Sequence, residues 1–483
     1  MKWCFFINNF PFLSEFFGKL ASETIKRGDD CLIVFNSKIT EYEKKKFFPN
    51  EAKFISVVDW QINNYQDPRG TPKKDFYGLS WKDFFPFFDR AGFSKLDYNK
   101  SIKIVLQIVQ FFEFIFEKEK PDVIISEAPT GLAHLVAYYF CQKNNIVYLG
   151  IEGFGLNNRI NVYDSKFTCA KYEKTFKEIN NGNISKEEKE FAKTFVEKFI
   201  SHERPPFYMD PAKIYFSQIG LIKHFLKRIK NIYPPFLQYI LSRQKYKIFD
   251  SESEAILKSF FEAFFKAERK KIRIFSQRRF FKEVPPESFK EEKFFLFPLH
   301  YQPEASTDVY AIYYCDQLNT AKNIAFSLPF PYKLYVKEHP VAIGARRKEF
   351  YEELKKIPNI VLISSQENIG DIIKNSSGVV VLTGTPGLEA ALAGKPVYVL
   401  GDVFYSYHPL CRKVKGFEEL KDKIENDLIK KPNIDSLEDI NNRFITSYFR
   451  NTISGNMPVA SVGEDTNDYK LIYQDLLKIL SRI

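Results

Sequence analysis

Long apolar runs are missing from this 483-residue chain. No stretch approaches the eighteen or so consecutive apolar residues that a membrane-spanning helix needs. The opening run, Trp3-Cys4-Phe5-Phe6-Ile7, stops at Asn8 and Asn9 and is too short for the core of a secretion signal. Cysteine is scarce too: six residues, at 4, 31, 141, 169, 315 and 411, with no Cys-x-x-Cys pair and no His-x3-His spacing. Neither a disulfide framework nor a metal site is expected, and no cofactor. Cys4, Cys31 and Cys141 lie in or beside apolar runs and are expected to be buried thiols in a reducing compartment. With only 21 Gly and 25 Pro against 45% apolar and 27% charged residues, disordered and fibrous classes are excluded. A cytoplasmic protein follows by elimination.

What the chain has in excess is aromatic area and positive charge. Fifty Phe and 27 Tyr can fill two cores and still leave apolar surface for a partner. The net charge of +11 suits anionic partners such as nucleotides, anionic lipid headgroups or nucleic acid, although solvated lysine faces would give the same sum.

The length is too great for one core, so two domains are expected. Strand and helix alternate from the start: strand Trp3–Ile7, a helix Ser14–Arg27 capped by Ser14 and closed by Gly28, strand Cys31–Phe35. Asp122–Ser126, Thr130–Lys143 and Ile146–Ile151 then read as a strand–helix–strand crossover, which implies a parallel sheet. Residues from about 185 to 285 are mainly helical, basic and aromatic. Within them, 211–250 reads either as a solvated insert or as a surface for an anionic membrane. Glu283-Val-Pro-Pro-Glu287 is the linker candidate. Beyond it come five strands (Phe294–Leu299, Lys333–Lys337, Ile360–Ile363, Gly378–Leu382, Val397–Leu400) with helices between them, and an amphipathic helix Tyr469–Ile483. The expected division is therefore 1–285 and 286–483, each half an α/β Rossmann-like domain.

Chemistry-bearing segments follow the strands. Thr383-Gly-Thr-Pro-Gly387 ends a buried strand. Thr385 is expected as N-cap with Pro386 as the first helical residue, and Gly387 allows close backbone approach. Such a helix start binds anions, and Glu389 one turn in can accept from ribose hydroxyls. An ordinary capped helix is the competing reading. Tyr332-Lys-Leu-Tyr-Val-Lys-Glu-His-Pro340 places Lys337 and His339 at a strand end, with Pro340 holding His339 out of helical geometry. Phe297-Pro-Leu-His-Tyr-Gln302 supplies His300 and Gln302 as donor contacts, or is a structural loop. In the first half, Glu127 and Glu152 each follow a strand and can serve as catalytic base or nucleophile, or cap a neighbouring helix.

These residues resemble the capsule polysaccharide biosynthesis family of bacterial glycosyltransferases, which includes the β-Kdo transferases, most clearly from Phe297 to Leu400. The Lys-Glu-His-Pro element is also similar to that of the bacterial sialyltransferases. The resemblance implies a GT-B fold, two Rossmann-like domains facing a cleft, with the basic helical insert. It implies a donor phosphate held by His339, with Thr383 and Thr385 as the hydroxyl-bearing partners, and Glu152-Gly153 as the acidic element. That element carries one acid where two are often found, and Arg159 arrives several residues late. The implied reaction moves a sugar from a nucleotide donor, a CMP-sugar of Kdo or sialic-acid-like kind, to a surface polysaccharide or glycolipid. A peripheral place at the inner face of the membrane goes with the membrane reading of 211–250, and no nucleic acid is expected. A nucleotide-sugar epimerase of the same fold and a basic nucleic-acid-binding protein are the alternatives.

Overall fold

Short apolar runs, each closed by a polar residue or a turn, form most of the strands of two sheets. The structure, a computed structural model, describes residues 1–8, 13–66, 79–83, 98–152, 159–163, 170–201, 234–282, 288–430, 436–456 and 465–481. The chain divides into two units, each made of separate pieces. The first holds Met1–Lys166, Pro206–Glu262 and Asn451–Ile483; the second holds Phe167–Pro205 and Ala263–Arg450.

In the first unit, β1 (Lys2–Ile7), β2 (Asp30–Phe35), β3 (Lys53–Ser56), β4 (Val123–Glu127) and β5 (Val147–Glu152) run parallel in the order β3-β2-β1-β4-β5. β6 (Arg159–Tyr163) adds antiparallel to β5. The expected crossover is present, and parallel strands buried on both faces explain why β1 and β4 read as unbroken apolar runs. Helix Leu13–Lys26 ends at Gly28, whose φ of +82° is the left-handed turn that glycine adopts without strain. Ser14 is not its cap: it lies buried inside the helix.

The terminal helix, Tyr469–Leu480, was expected to belong to the second half. It does not, because its apolar stripe of Ile472, Tyr473 and Leu476 completes the core built on Trp3, Phe5 and Phe16. Tyr473 packs against Trp3 at 5.6 Å between ring centroids. The strand before it, Thr452–Ser454, pairs antiparallel with β6. Arg159 secures that strand, donating to Thr452 Oγ1 at 2.9 Å, to Thr452 O at 2.6 Å and to Ser454 Oγ at 3.0 Å.

Most of the basic stretch expected at 211–250 lies outside the described residues, as does the 283–287 linker. Its last part is described and is no loose insert. Phe236, Tyr239 and Tyr246, from the helix at 234–246, are buried with Ile39, Val58 and Leu257 of the first unit.

The second unit is an all-parallel sheet of six strands, one more than expected. β7 (Phe294–Pro298), β8 (Lys333–Lys337), β9 (Ile360–Ile363), β10 (Gly378–Val381), β11 (Val397–Val399) and β12 (Cys411–Lys413) stand in the order β12-β11-β10-β7-β8-β9. The expected fold class, two Rossmann-like α/β halves, is the one observed. Helices Ala170–Glu178 and Lys186–Ile200 also belong here, against helix Leu437–Arg450: Arg443 donates to Ile179 O at 2.9 Å, and Arg450 pairs with Glu188 at 2.7 Å.

Candidate functional site

In an open parallel sheet, ligands bind outside the carboxyl ends of the strands, at the point where the strand order reverses. In the second unit that point lies between β7 and β10. The chain leaves β7 toward β8 and β9, then returns to β10 on the other side. The sequence places His300 after β7, Lys337 and His339 at the end of β8, and Thr383–Gly387 after β10. The topology brings these three segments to one edge, as expected.

At the reversal itself, Nε2 of His300 accepts the N–H of Thr383 at 3.3 Å. Burial holds the His300 pKa down to about 3, so this imidazole is neutral. A Cβ on Gly384 would stand 2.8 Å from the same nitrogen, which is why the turn needs glycine there. His300 thus braces the turn. Gln302 is likewise engaged within the protein, with Asp308 at 2.6 Å and Gln317 at 3.0 Å. Thr383 also turns inward, its hydroxyl donating to Ser306 O at 2.8 Å.

The helix after β10 spans Thr385–Leu392, and its N-cap is Gly384, not Thr385. Thr385 becomes the first helical residue and Pro386 the second, because Gly384 already has the extended backbone of a cap. Pro386 has no N–H, and that of Gly387 turns back to Gly384 O at 3.1 Å. Gly387 is required, but by a neighbouring side chain: a Cβ there would collide with Oη of Tyr405, which bonds to Gly384 O. Gly384, Thr385 and Pro386 are the partly exposed residues of the turn.

Lys337 and Glu389 flank β7 from β8 and from the helix. Both are buried, at 4% and 6% exposure. Burial lowers Lys337 to about 8, against the pull of Glu367, Glu338 and Glu389. It raises Glu389 to about 8, against the pull of Lys337. At neutral pH Glu389 is therefore mostly protonated and offers an O–H where the sequence reading expected only an acceptor. Nζ of Lys337 donates to Ser365 O at 2.9 Å.

His339 is the half-exposed member of the group. Burial, then Lys337, Arg346 and Lys270, push it down to about 4, so its ring is neutral. Its Nδ1 accepts the N–H of Val341 at 3.1 Å, the first N–H available after Pro340. The ring proton therefore sits on Nε2, which makes that nitrogen a neutral donor.

Several members were not foreseen. Buried Glu338 accepts from Tyr351 Oη and pairs with Arg346 at 3.2 Å. Arg346 also donates to His300 O, and Gln317 Oε1 accepts the His300 N–H at 2.7 Å. Helix Ser251–Gln277 grips the segment after His339 through Lys270 to Val341 O at 2.7 Å and Gln277 to Arg346 O at 2.9 Å. The one signal available was the position of Glu338 directly after the buried strand β8, since a buried carboxylate demands partners.

In the first unit the reversal falls between β1 and β4. Glu127 ends β4 there, buried, accepting from Asn8 Nδ2 and the Thr130 hydroxyl, with His134 Nδ1 at 3.8 Å. Its carbonyl accepts from Tyr148 Oη at 2.8 Å. Glu152 ends β5, half-buried opposite Asn161 of β6, and the Gly153-Phe154-Gly155 expected to loosen its setting lies outside the described residues. Among the described residues no cluster could hold a metal ion, and no helix is long and apolar enough to cross a membrane.

Residues 238–429 match the family model described as Capsule polysaccharide biosynthesis protein, a stretch that holds the whole β7–β12 sheet. No curated protein sequence matches the chain. Among solved structures, the KpsC beta Kdo 2,7 transferase of Thermosulfurimonas dismutans is 13% identical, covering 80% of this chain and 98% of its own, with a TM-score of 0.36. The beta Kdo 2,4 transferase of the same organism's KpsC is 15% identical over 74% and 88%, at 0.37. A UDP-GlcNAc 2-epimerase from Neisseria meningitidis is 12% identical over 100% of both chains, at 0.24. These scores, all below 0.5, are too low to carry any inference about this chain. Residues 238–429 are thus the part of the chain that is similar to the capsule polysaccharide biosynthesis proteins.

Proposed function

We propose that this protein is a glycosyltransferase that takes its sugar from a nucleotide-activated donor, a CMP-sugar of Kdo or sialic-acid-like kind, and passes it to a surface polysaccharide or glycolipid. The observation that carries the reading is the group at the β7/β10 reversal. Buried Lys337, a neutral His339 whose donor is Nε2–H, and the helix start at Thr385 stand on one sheet edge, inside the segment that matches the capsule family.

A phosphate is the ligand that such a set suits. The helix start favours negative charge, and Lys337 and His339 donate hydrogen bonds to oxygen. As the bond between the anomeric carbon and the donor oxygen breaks, the nucleotide leaves with the electron pair, and these donors stabilise the charge that develops. Glu389 as an O–H meets the ribose. Glu152 supplies the carboxylate: as base it takes the proton of the acceptor hydroxyl and the product is inverted, as nucleophile it gives retention. The product's anomeric configuration decides between them. Leu237, Ile240 and Leu241, exposed on one stripe of the helix at 234–246, support a peripheral place on an anionic membrane.

The test is thermal stability with CMP, CDP, UDP and GDP. A nucleotide at a hundred times its Kd stabilises by about 2.7 kcal/mol. CMP is expected to raise Tm most, and His339→Ala to weaken that binding at least tenfold while the apo Tm stays put. Equal CMP affinity in a folded His339→Ala protein refutes the phosphate role. Epimer formation from a UDP-sugar, without transfer, would replace the reading by the epimerase.

A further inference from the structure

Val341 is held from two sides. Its N–H donates to Nδ1 of His339 at 3.1 Å, and its carbonyl accepts from Nζ of Lys270 at 2.7 Å. Around it the segment is clamped. Ala342 N–H closes a turn on His339 O at 2.9 Å, and Gln277 holds Arg346 O at 2.9 Å. Gly344, at φ +76°, passes so near the helix that a Cβ would stand 2.6 Å from Lys270 O. Pro340 removes the nearer N–H, so Val341 is the first backbone donor His339 can meet.

An imidazole with one acceptor nitrogen committed has its tautomer fixed. Metal-bound histidines show the general rule, in which the partner of one ring nitrogen decides what the other offers. Here the partner is the N–H of a residue whose carbonyl, in the following peptide, is held by a lysine of another element. We propose that Lys270 is a positioning residue for the donor site: by holding the carbonyl of Val341 it keeps that residue's N–H on Nδ1 of His339, so that the ring meets the donor phosphate through Nε2–H alone. This rests on the reading that His339 contacts a phosphate.

The charges around His339 act in the same direction. Lys337 at the end of β8, Arg346 in the segment that follows and Lys270 on the helix each disfavour an imidazolium, on top of burial. His300 at the end of β7 is neutral and adds no counter-charge. Glu338 beside it is occupied by Arg346 and Tyr351. Removing Lys270 therefore withdraws both the anchor of Val341 and one of these three cations.

The experiment is 15N NMR of the full chain labelled at its six histidines, with His339→Asn identifying the resonance. In the wild type His339 is expected to show the Nε2–H pattern from pH 8 to pH 5.5, since its pKa lies near 4. An Nδ1–H pattern in the wild type overturns the proposal without any variant. In Lys270→Met the ring is expected to populate both tautomers and to titrate closer to the ordinary 6.5, and Lys270→Arg to restore the single pattern. The Kd for CMP is expected to rise about tenfold in Lys270→Met and to recover in Lys270→Arg, the order of one lost hydrogen bond. Unchanged ring shifts in a Lys270→Met protein of normal Tm refute it, and so do altered shifts with unaltered CMP affinity. If the wild type binds no CMP at all, the donor reading falls, while the ring shifts still decide whether Lys270 sets the tautomer.

Discussion

His300 and Thr383 are joined by one hydrogen bond of 3.3 Å, imidazole nitrogen to backbone N–H, across the reversal between β7 and β10. The bond shows how the edge is built. The residue that looks most like chemistry in its loop is structural, and it fixes the turn from which Thr385 begins its helix. Its neutrality follows from burial, as does that of His339 and the protonation of Glu389. Desolvation sets the charge state of this site more than any ion pair does.

Glu389 gives the first prediction. Its folded pKa of about 8 lies above the usual carboxyl range, so the folded state keeps a proton that the unfolded chain gives up near pH 4.5. The stability it contributes is present below that value and is lost as pH rises toward 8. Glu389→Gln cannot lose a proton. The Tm of Glu389→Gln relative to wild type is therefore expected to rise steadily from pH 4.5 to pH 8, by the equivalent of a few kcal/mol at about 1.4 kcal/mol per pKa unit. A difference that is flat across that range would mean that Glu389 is ionised in the fold.

Gly387 gives the second. Its position is set by the Tyr405 hydroxyl, which a Cβ would strike. Gly387→Ala is expected to destabilise by about 1–3 kcal/mol, the usual scale of overpacking. Tyr405→Phe removes the oxygen that is struck, and the double variant should be more stable than the sum of the two single losses. Strict additivity of the three Tm values would place the strain elsewhere.

The third separates the two carboxylates of the first unit. Glu127 is buried in a network with Asn8, Thr130 and His134, whereas Glu152 is half-buried at a strand end. Glu127→Gln is expected to lower stability by about 1–2 kcal/mol through the disturbed hydrogen bonds. Glu152→Gln should leave Tm unchanged and cut sugar transfer roughly a hundredfold, the scale of a lost general base. Normal turnover in Glu152→Gln with a dead Glu127→Gln would exchange their roles.

Strands such as Lys333–Lys337 and Ile360–Ile363 were legible to the residue, because an apolar run bounded by polar residues leaves little choice of end. Cys411–Lys413 was not. A three-residue edge strand with partly exposed Cys-Arg-Lys has no run and no period to detect. Periodicity likewise told which face of Tyr469–Leu480 is apolar, but a stripe does not name the core that it fills. At the site, Lys337, His339 and the turn after β10 could be read because each follows a strand. Arg346, Gln317 and Lys270 could not, since their importance lies in backbone groups far along the chain that only the fold brings near.

The return of the last strand and helix to the first sheet sets an order of events during synthesis. Both segments of the second unit have been made once the ribosome passes Arg450. The first unit, although it holds the earliest residues, still lacks Ile453, Ile472, Tyr473 and Leu476 of its core at that moment. Trp3 is made long before Tyr473, the ring it packs against. The unit whose first strands precede the second unit in the chain is completed only after it, and through that interval part of its apolar core stays uncovered.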